Sequence, residues 1–306
     1  MNNNFVFMAF GKGKESTEGS VVKRYQGVAP VFVLGVNPTK DELEKLYDTQ
    51  IEKAPEYVGE IEVNGNKVPN VRIDFIVKTD ADKCNGIDFT TKISFFIRKE
   101  YRVNRDGSKV QVIDKYGRTA WVAKEQFKNK EIPVYSNGPA NIDKDYRACY
   151  HGEEDLTNFI KQYLNIPSVM KYVNNTWVMV DNPADSEARL ENIENYFKGD
   201  FSELRSVIAL QPNNKVKALF GVKLTDDNKQ YQTVYTQMFL KNNATDYSKL
   251  DADLQERKNS GAYPNVEFVV GDLKEYNVES TDFSKPSEDL PFSAGSSDSS
   301  PWDFGK

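Results

Sequence analysis

Histidine is nearly absent from this chain: His151 is the single example in 306 residues. Serine triads and most cysteine nucleophile pairs need an imidazole base, so one residue would have to carry all such chemistry. Cysteine is almost as scarce. Cys84 and Cys149 are too few for a disulfide framework, and a reducing cytoplasm is the expected setting. No run of about 18 apolar residues occurs, so no membrane partner is expected. The opening stretch MNNNFVFMAFGKGKESTEGS lacks the sustained apolar core of a secretion signal.

Metal and nucleotide motifs are missing as well. GKGKES (11–16) lacks the first glycine of a phosphate loop, and no strand leads cleanly into it. TDADKCNGID (79–88) has its glycine one place late for a calcium loop and no closing glutamate, so a turn is the better reading. Cys149, His151 and the distant Cys84 make three potential zinc ligands where a structural site wants four, and the usual paired cysteine spacing is absent. Acids are plentiful, but no pair stands out as catalytic. A non-enzymatic protein without metal or nucleotide cofactor is the expectation.

What is present is core-forming material and an uneven charge. Hydrophobic residues make up 39% and charged residues 28%, enough to bury a core. The net charge of −6 hides two opposed regions. Residues 92–130 hold eleven Lys or Arg against four acids, whereas 277–306 hold six acids against Lys285 and Lys306. Such separation says more about partners than the total does.

Along the chain, 1–20 reads as a flexible arm. APVFVLGVNP (29–38) reads as a buried strand, and TKDELEKLYDTQ (39–50) as a short helix capped by Thr39. Residues 57–79 form a hairpin turning at 64–66, and 89–114 a longer one turning at 104–107. Residues 115–127 read as a loop, a brief strand and a helical turn. Apolar residues at 156, 159, 160, 163 and 164 give 152–166 a helical period. Residues 182–200 read as a second helix closed by Gly199, 205–211 and 215–240 as strands, 246–261 as a third helix, and 265–273 as a last strand. From about 276 the composition falls to Ser, Asp, Pro and Gly.

Strands in hairpins with helices clustered between them do not suit a doubly wound sheet. The expected fold is mainly β (α+β): an OB-like antiparallel Greek-key barrel over 21–275, with a helical insertion at about 150–204 and a disordered acidic tail over 276–306. The strand 92–103 is the most informative segment. One face (Ile93, Phe95, Ile97, Lys99, Tyr101, Val103) is apolar at five of six positions and belongs in a core. The other (Lys92, Ser94, Phe96, Arg98, Glu100, Arg102) carries three cations and an aromatic ring. In the hairpin partner, Val110 and Val112 are expected inward, with Lys109 and Gln111 outward. Cations follow phosphates and aromatic faces stack bases, so this mixture suits a single-stranded nucleic acid. Lys92, Arg98, Arg102, Arg105, Lys109, Lys115 and Arg118 are the phosphate candidates. Phe96, Tyr116 and Trp121 are the stacking candidates, although Phe96 and Trp121 suit a core equally well.

The tail keeps aromatics that a plain solubilising segment would not need. Asp289, Leu290, Pro291 and Phe292 form one acidic–aromatic cluster, and Trp302, Asp303 and Phe304 another. Such a tail can compete with phosphates for a basic groove and can offer an aromatic ring to a partner's pocket. With VFVLGVNPTKDELEKLYD (31–48), YGRTAWVAKEQFKNKEIPVYSNGPA (116–140) and YRACYHGEEDLTNFIKQYLNIP (146–167), the chain resembles single-stranded-DNA-binding proteins of tailed phages, of the crAss-like type. EDLPF (288–292) is similar to the acidic tail tip of bacterial single-strand-binding proteins, but it is internal here, with fourteen residues after Phe292. The resemblance implies an OB-type core that coats single-stranded DNA without sequence preference during replication or recombination. It also implies a tail that recruits replication proteins such as polymerase, primase or helicase. A virion structural protein and a metal-dependent nuclease are the alternative expectations.

Overall fold

The computed structural model describes residues 20–115, 117–131, 142–143, 145–164, 168–173, 176–181, 190–209, 211–224, 230–263, 266–267 and 272–278. One long strand organises it. β1 (Ser20–Val36) places Tyr25, Ala29, Val31 and Val33 at alternating buried positions. One edge pairs with β11 (Lys215–Leu224) over Gly27–Phe32. The other edge changes partner: β15 (Asp272–Val278) covers Ser20–Gln26, and β3 (Asn66–Thr79) covers Val31–Val36. Pro30 falls in the gap between these two partners, where its missing N–H breaks no ladder, and its carbonyl accepts from the Asp80 N–H at 2.9 Å.

β2 (Val58–Val63) and β3 form the expected hairpin, with Asn64 and Gly65 at positive φ in its turn. β3 then pairs in register with β4 (Thr90–Tyr101) from Asn70↔Arg98 to Lys78↔Thr90. β12 (Gln230–Val234) lies beyond β11, giving the order β12-β11-β1-β3-β4-β8, where β8 is Tyr150–His151. The first five of these, β12-β11-β1-β3-β4, follow an OB-type order, and the sheet curls into a half-barrel. β13 (Leu240–Lys241) and β14 (Val266–Glu267) add to β11. Among the described residues no ladder joins β12 to β4.

Helices close that opening. α3 (Glu153–Tyr163) buries Leu156, Phe159, Ile160 and Tyr163, and Phe159 sits 4.6 Å from Phe75, 5.4 Å from Phe95 and 4.9 Å from Phe239 between ring centroids. Each such ring pair adds about 0.5–1.5 kcal/mol beyond its buried area. α1 (Lys40–Tyr47) is capped by Thr39, as expected, and Glu42 completes a full capping box with it. α6 (Ser248–Asn259) packs Leu250 against Leu219 and Tyr235.

Several expectations need correcting. RSVIALQ (205–211) is not a strand: α5 (Ser202–Ala209) forms because Asp200 accepts from the Ser202 N–H at 3.0 Å, and Leu204 and Ile208, four residues apart, are buried. Within 182–200 the described residues hold only the short helix α4 (Ile193–Tyr196), closed at Gly199 with φ +84°. The insertion is not wholly helical, because it contains the hairpin of β9 (Ser168–Val173) and β10 (Thr176–Asp181). The strand expected at 265–273 contains β14 at 266–267 and the start of β15, and β15 runs on to 278, so pairing passes the expected start of the tail. The remaining tail and the arm before Ser20 lie outside the described residues.

The 89–114 hairpin is also different from expectation. Only the bridge Val103↔Val110 joins its arms. β5 (Lys109–Ile113) turns away to pair with β6 (Thr119–Ala123) and β7 (Arg147–Ala148) in a separate three-stranded sheet. This satellite sheet packs Val112, Val122, Ile142 and Tyr146 into a small core, with Phe127 from α2 (Lys124–Asn129) against it.

A single glycine lets α3 reach the sheet. Gly152 has φ +82°, and a Cβ there would overlap the Phe96 carbonyl of β4. Gly152→Ala therefore combines left-handed strain with a backbone clash. It should lower stability by about 2–4 kcal/mol in urea unfolding. A loss below about 0.5 kcal/mol would mean that the close approach is not a constraint.

Candidate nucleic-acid interface

Strand pairing decides which side chains share a surface. Opposite residues of an antiparallel ladder lie on one face, so Arg72↔Phe96, Asp74↔Ser94 and Ile76↔Lys92 line the face that carries Arg98 and Arg102. The opposite face of β4 buries Ile93, Phe95 and Ile97, as predicted, but not the rest of its row. Tyr101 and Val103 are 54% and 42% exposed, because the strand has by then run past the half-barrel core. Tyr101 stacks on Tyr150 at 5.4 Å, and Lys99 Nζ lies 2.8 Å from Glu194 and 5.5 Å from the Phe197 ring centroid.

The cationic face is matched, residue by residue, with acids. Asp74 is buried and holds three groups: Arg72 Nε at 3.2 Å, Lys92 Nζ at 3.6 Å and the Ser94 hydroxyl at 2.7 Å. Arg98 Nε lies 2.9 Å from Glu100 Oε2, and Arg98 sits opposite His151 in the β4–β8 pairing. Arg102 donates to Glu154 at 2.6 Å and lies over the Trp121 ring at 5.8 Å. Glu154 also accepts from Gln111 at 2.9 Å and from Thr119 at 2.9 Å. Gln111 is thus buried, contrary to the expectation that it points outward: β5 is covered on one side by the satellite core and on the other by the start of α3. Arg118 is locked onto the buried Asp114, which accepts both its Nε, at 2.7 Å, and its backbone N–H.

The remaining candidates divide by position. Arg105 and Lys109 are exposed at the tip of the 104–109 turn, and Lys124 Nζ lies 3.9 Å from where a Cβ on Gly107 would be. Lys115 is half-buried at the far end of β5, Phe96 is half-buried, and Trp121 is 37% exposed. Tyr116 and all the tail candidates, Asp289, Leu290, Pro291, Phe292, Trp302, Asp303 and Phe304, lie outside the described residues. The structure brings Lys92, Phe96, Arg98, Arg102, Lys109 and Trp121 onto one continuous surface and leaves Arg118 in a turn. Sequence reasoning missed Arg72, which joins that surface from β3 and lies 5.4 Å from the Tyr57 ring centroid; its alternation with Asn70 and Asp74 was the available signal.

Two ionisable groups behind this surface are shifted by burial. Burial, with Arg98 and Arg102 nearby, pushes the His151 imidazole down to about 4, so it is neutral at physiological pH. Burial pushes the Cys149 thiol well above its ordinary value. Cys84 and Cys149 are both buried and unbridged. Among the described residues no group of three or more His, Cys, Asp or Glu is placed to hold a metal ion, and no helix is long and apolar enough to cross a membrane. Compared with protein families, curated proteins and solved structures, the chain matches none.

Among the described residues Asp155, in the first turn of α3, is the carboxyl pushed up strongly, to about 7, by burial first and then by Glu154, against the opposing pull of Arg102 and Arg257. From about pH 4 to 7 the folded chain keeps a proton that the unfolded chain sheds, so this group makes stability fall as pH rises across that window. Asp155→Asn removes the loss. Its gain in melting temperature should be larger at pH 8 than at pH 5; an equal gain at both would show that the carboxyl titrates normally.

Proposed function

We propose that the chain binds single-stranded DNA without strong sequence preference and protects it during phage-type replication or recombination in the host cytoplasm. The tail clusters 288–292 and 302–304 would recruit replication proteins such as polymerase, primase or helicase. One observation carries the reading. The outer face of β3 and β4 continues into the satellite sheet, so that aromatic rings are interspersed among cations along it: Lys92, Phe96, Arg98, Arg102, Trp121 and Lys109. A strand laid along that face meets phosphate partners and stacking rings in turn. The OB-type order supports it, since such barrels bind oligonucleotides on the equivalent strand pair.

The ion pairs set which residues contribute most. A phosphate can take Arg98 or Arg102 only by competing with Glu100 or Glu154, whereas Arg105 and Lys109 sit at an exposed tip. Fluorescence anisotropy with labelled oligo-dT, across a salt series, tests this. Arg105→Glu with Lys109→Glu should weaken binding by about tenfold or more and flatten the salt dependence. Trp121→Ala should cost about 1–3 kcal/mol. Arg118→Gln, a residue engaged in its own turn, should change affinity little. Equal affinity for duplex and single strand, or no loss in the double variant, would overturn the assignment.

The same face predicts a gain from charge removal. Glu100→Gln frees Arg98 and should tighten oligo-dT binding severalfold at low salt, with the advantage fading as screening increases. Unchanged affinity at low salt would place Arg98 outside the DNA path.

A further inference from the structure

β4 outlasts its partner. Its ladder with β3 ends at Asn70↔Arg98, yet exposure goes on alternating beyond it. Lys99, Tyr101, Val103 and Arg105 are exposed, and Arg98, Glu100, Arg102 and Asn104 between them are half-buried. The two rows keep different company. Arg102 lies with Glu154 and Trp121 on the outer face. Lys99 and Tyr101 lie with Glu194, Phe197 and Tyr150 on the inner one. A free edge runs between these faces. The Arg102 N–H donates to Cys149 O at 2.9 Å and its carbonyl accepts from the Gln111 N–H at 2.9 Å, so both its backbone groups point away from β3. On the β3 side, no ladder covers β4 beyond Arg98 among the described residues.

Among the described residues no large hydrophobic side chain is more exposed than Tyr101, at 54%. One side of its ring is taken: it stacks on Tyr150, with centroids 5.4 Å and planes 29° apart. Tyr150 is itself buried, meets the Phe197 ring edge-on at 5.6 Å and donates its hydroxyl to Glu194. The Tyr101 ring therefore stands in a fixed plane with its other face toward solvent. The charges around it are close to balance. Lys99 and Lys198 both act on Glu194, and Arg105 is followed by Asp106. Such a platform suits a flat, uncharged group, and a nucleobase is one.

We propose that a single strand bound on the outer face turns over the free edge of β4, and that one of its bases stacks on Tyr101. The inference rests on the single-strand reading above and adds to it a reason for selectivity. Trp121 and Tyr101 lie on opposite faces of one projecting arm, so a path that serves both has to reverse within a few nucleotides. A single strand does so freely. Duplex DNA is stiff over about 150 base pairs and can use the outer face only. Tyr101 is then the residue that separates single-strand from duplex binding, and it acts through its ring and not through charge.

Anisotropy with labelled oligo-dT and with duplex, each across a salt series, tests this in the full-length protein. Tyr101→Leu keeps apolar cover over Tyr150 but offers no ring. It should weaken oligo-dT binding about tenfold, the size of one lost base stack, and leave duplex binding unchanged. No cation is removed, so the salt slope should match that of the unaltered chain, unlike that of Arg105→Glu with Lys109→Glu. Tyr101→Phe keeps the ring and should restore full affinity. A second measurement uses the unaltered chain and so decides the matter even where Tyr101→Leu folds poorly. Oligo-dT carrying iododeoxyuridine should crosslink to Tyr101 under ultraviolet light, read by mass spectrometry of the digested adduct. Unchanged oligo-dT affinity in Tyr101→Leu, an equal loss on duplex, or adducts on Trp121 with none on Tyr101 would each overturn the proposal and leave the outer-face reading standing. No oligo-dT binding by the unaltered chain would overturn both.

Discussion

A curled sheet that does not close leaves an apolar concave face, and burying that face is the constraint on which the rest of this structure depends. Phe159 of α3 meets it by entering the cup between Phe75, Phe95 and Phe239. A strand ladder would have sealed the opening with backbone hydrogen bonds; here side-chain packing does so. That choice fixes the path of the chain. α3 has to start hard against the edge of β4, and only a residue without a Cβ can stand at position 152, above the Phe96 carbonyl.

The location of the candidate interface follows from this closure. Because the start of α3 lies against β4 and β5, Glu154 is delivered to Arg102, Gln111 and Thr119 together. The same junction places His151 beside Arg98 and holds Arg102 over Trp121. The acids at the head of α3 therefore join the half-barrel to the satellite sheet and keep the cations of the outer face in fixed positions. The arrangement moderates the field as well. Of the eleven cations in 92–130, Lys92, Lys99 and Arg102 are matched by acids from outside that segment, which lowers its surplus from seven to four. What remains is concentrated at the 104–109 tip and on α2, rather than spread evenly along β4.

Much of the fold was legible where local chemistry and periodicity agree. The Thr39 cap, the 64–66 turn, the inward row Ile93, Phe95, Ile97 and the helical spacing of Leu156, Phe159, Ile160 and Tyr163 were all visible in the sequence and are all present. The failures have a common cause. RSVIALQ has strand-like composition, yet the Asp200 cap and two buried residues four apart make it a helix. Tyr101 and Val103 continue an alternating pattern beyond the point where there is a core to bury them. Gln111 looks like an outward residue until a helix from forty positions later covers it.

Sequence alone thus determined the mainly antiparallel class, the strand and turn positions with strong local signals, and the grouping of cations with aromatics on one face of 92–103. Those properties depend on spacings of two to four residues, which a linear reading contains. Tertiary structure decided the rest: that β5 leaves β4 for a second sheet, that a helix closes the half-barrel, and which acid stands next to each cation. These depend on contacts between residues tens to nearly two hundred positions apart, such as Arg102 with Glu154 or Arg205 with the carbonyls of Val36 and Asn37. Charge–charge energies fall off with distance in space and not along the chain. The electrostatic character of the face could therefore only be read once the fold had set those distances.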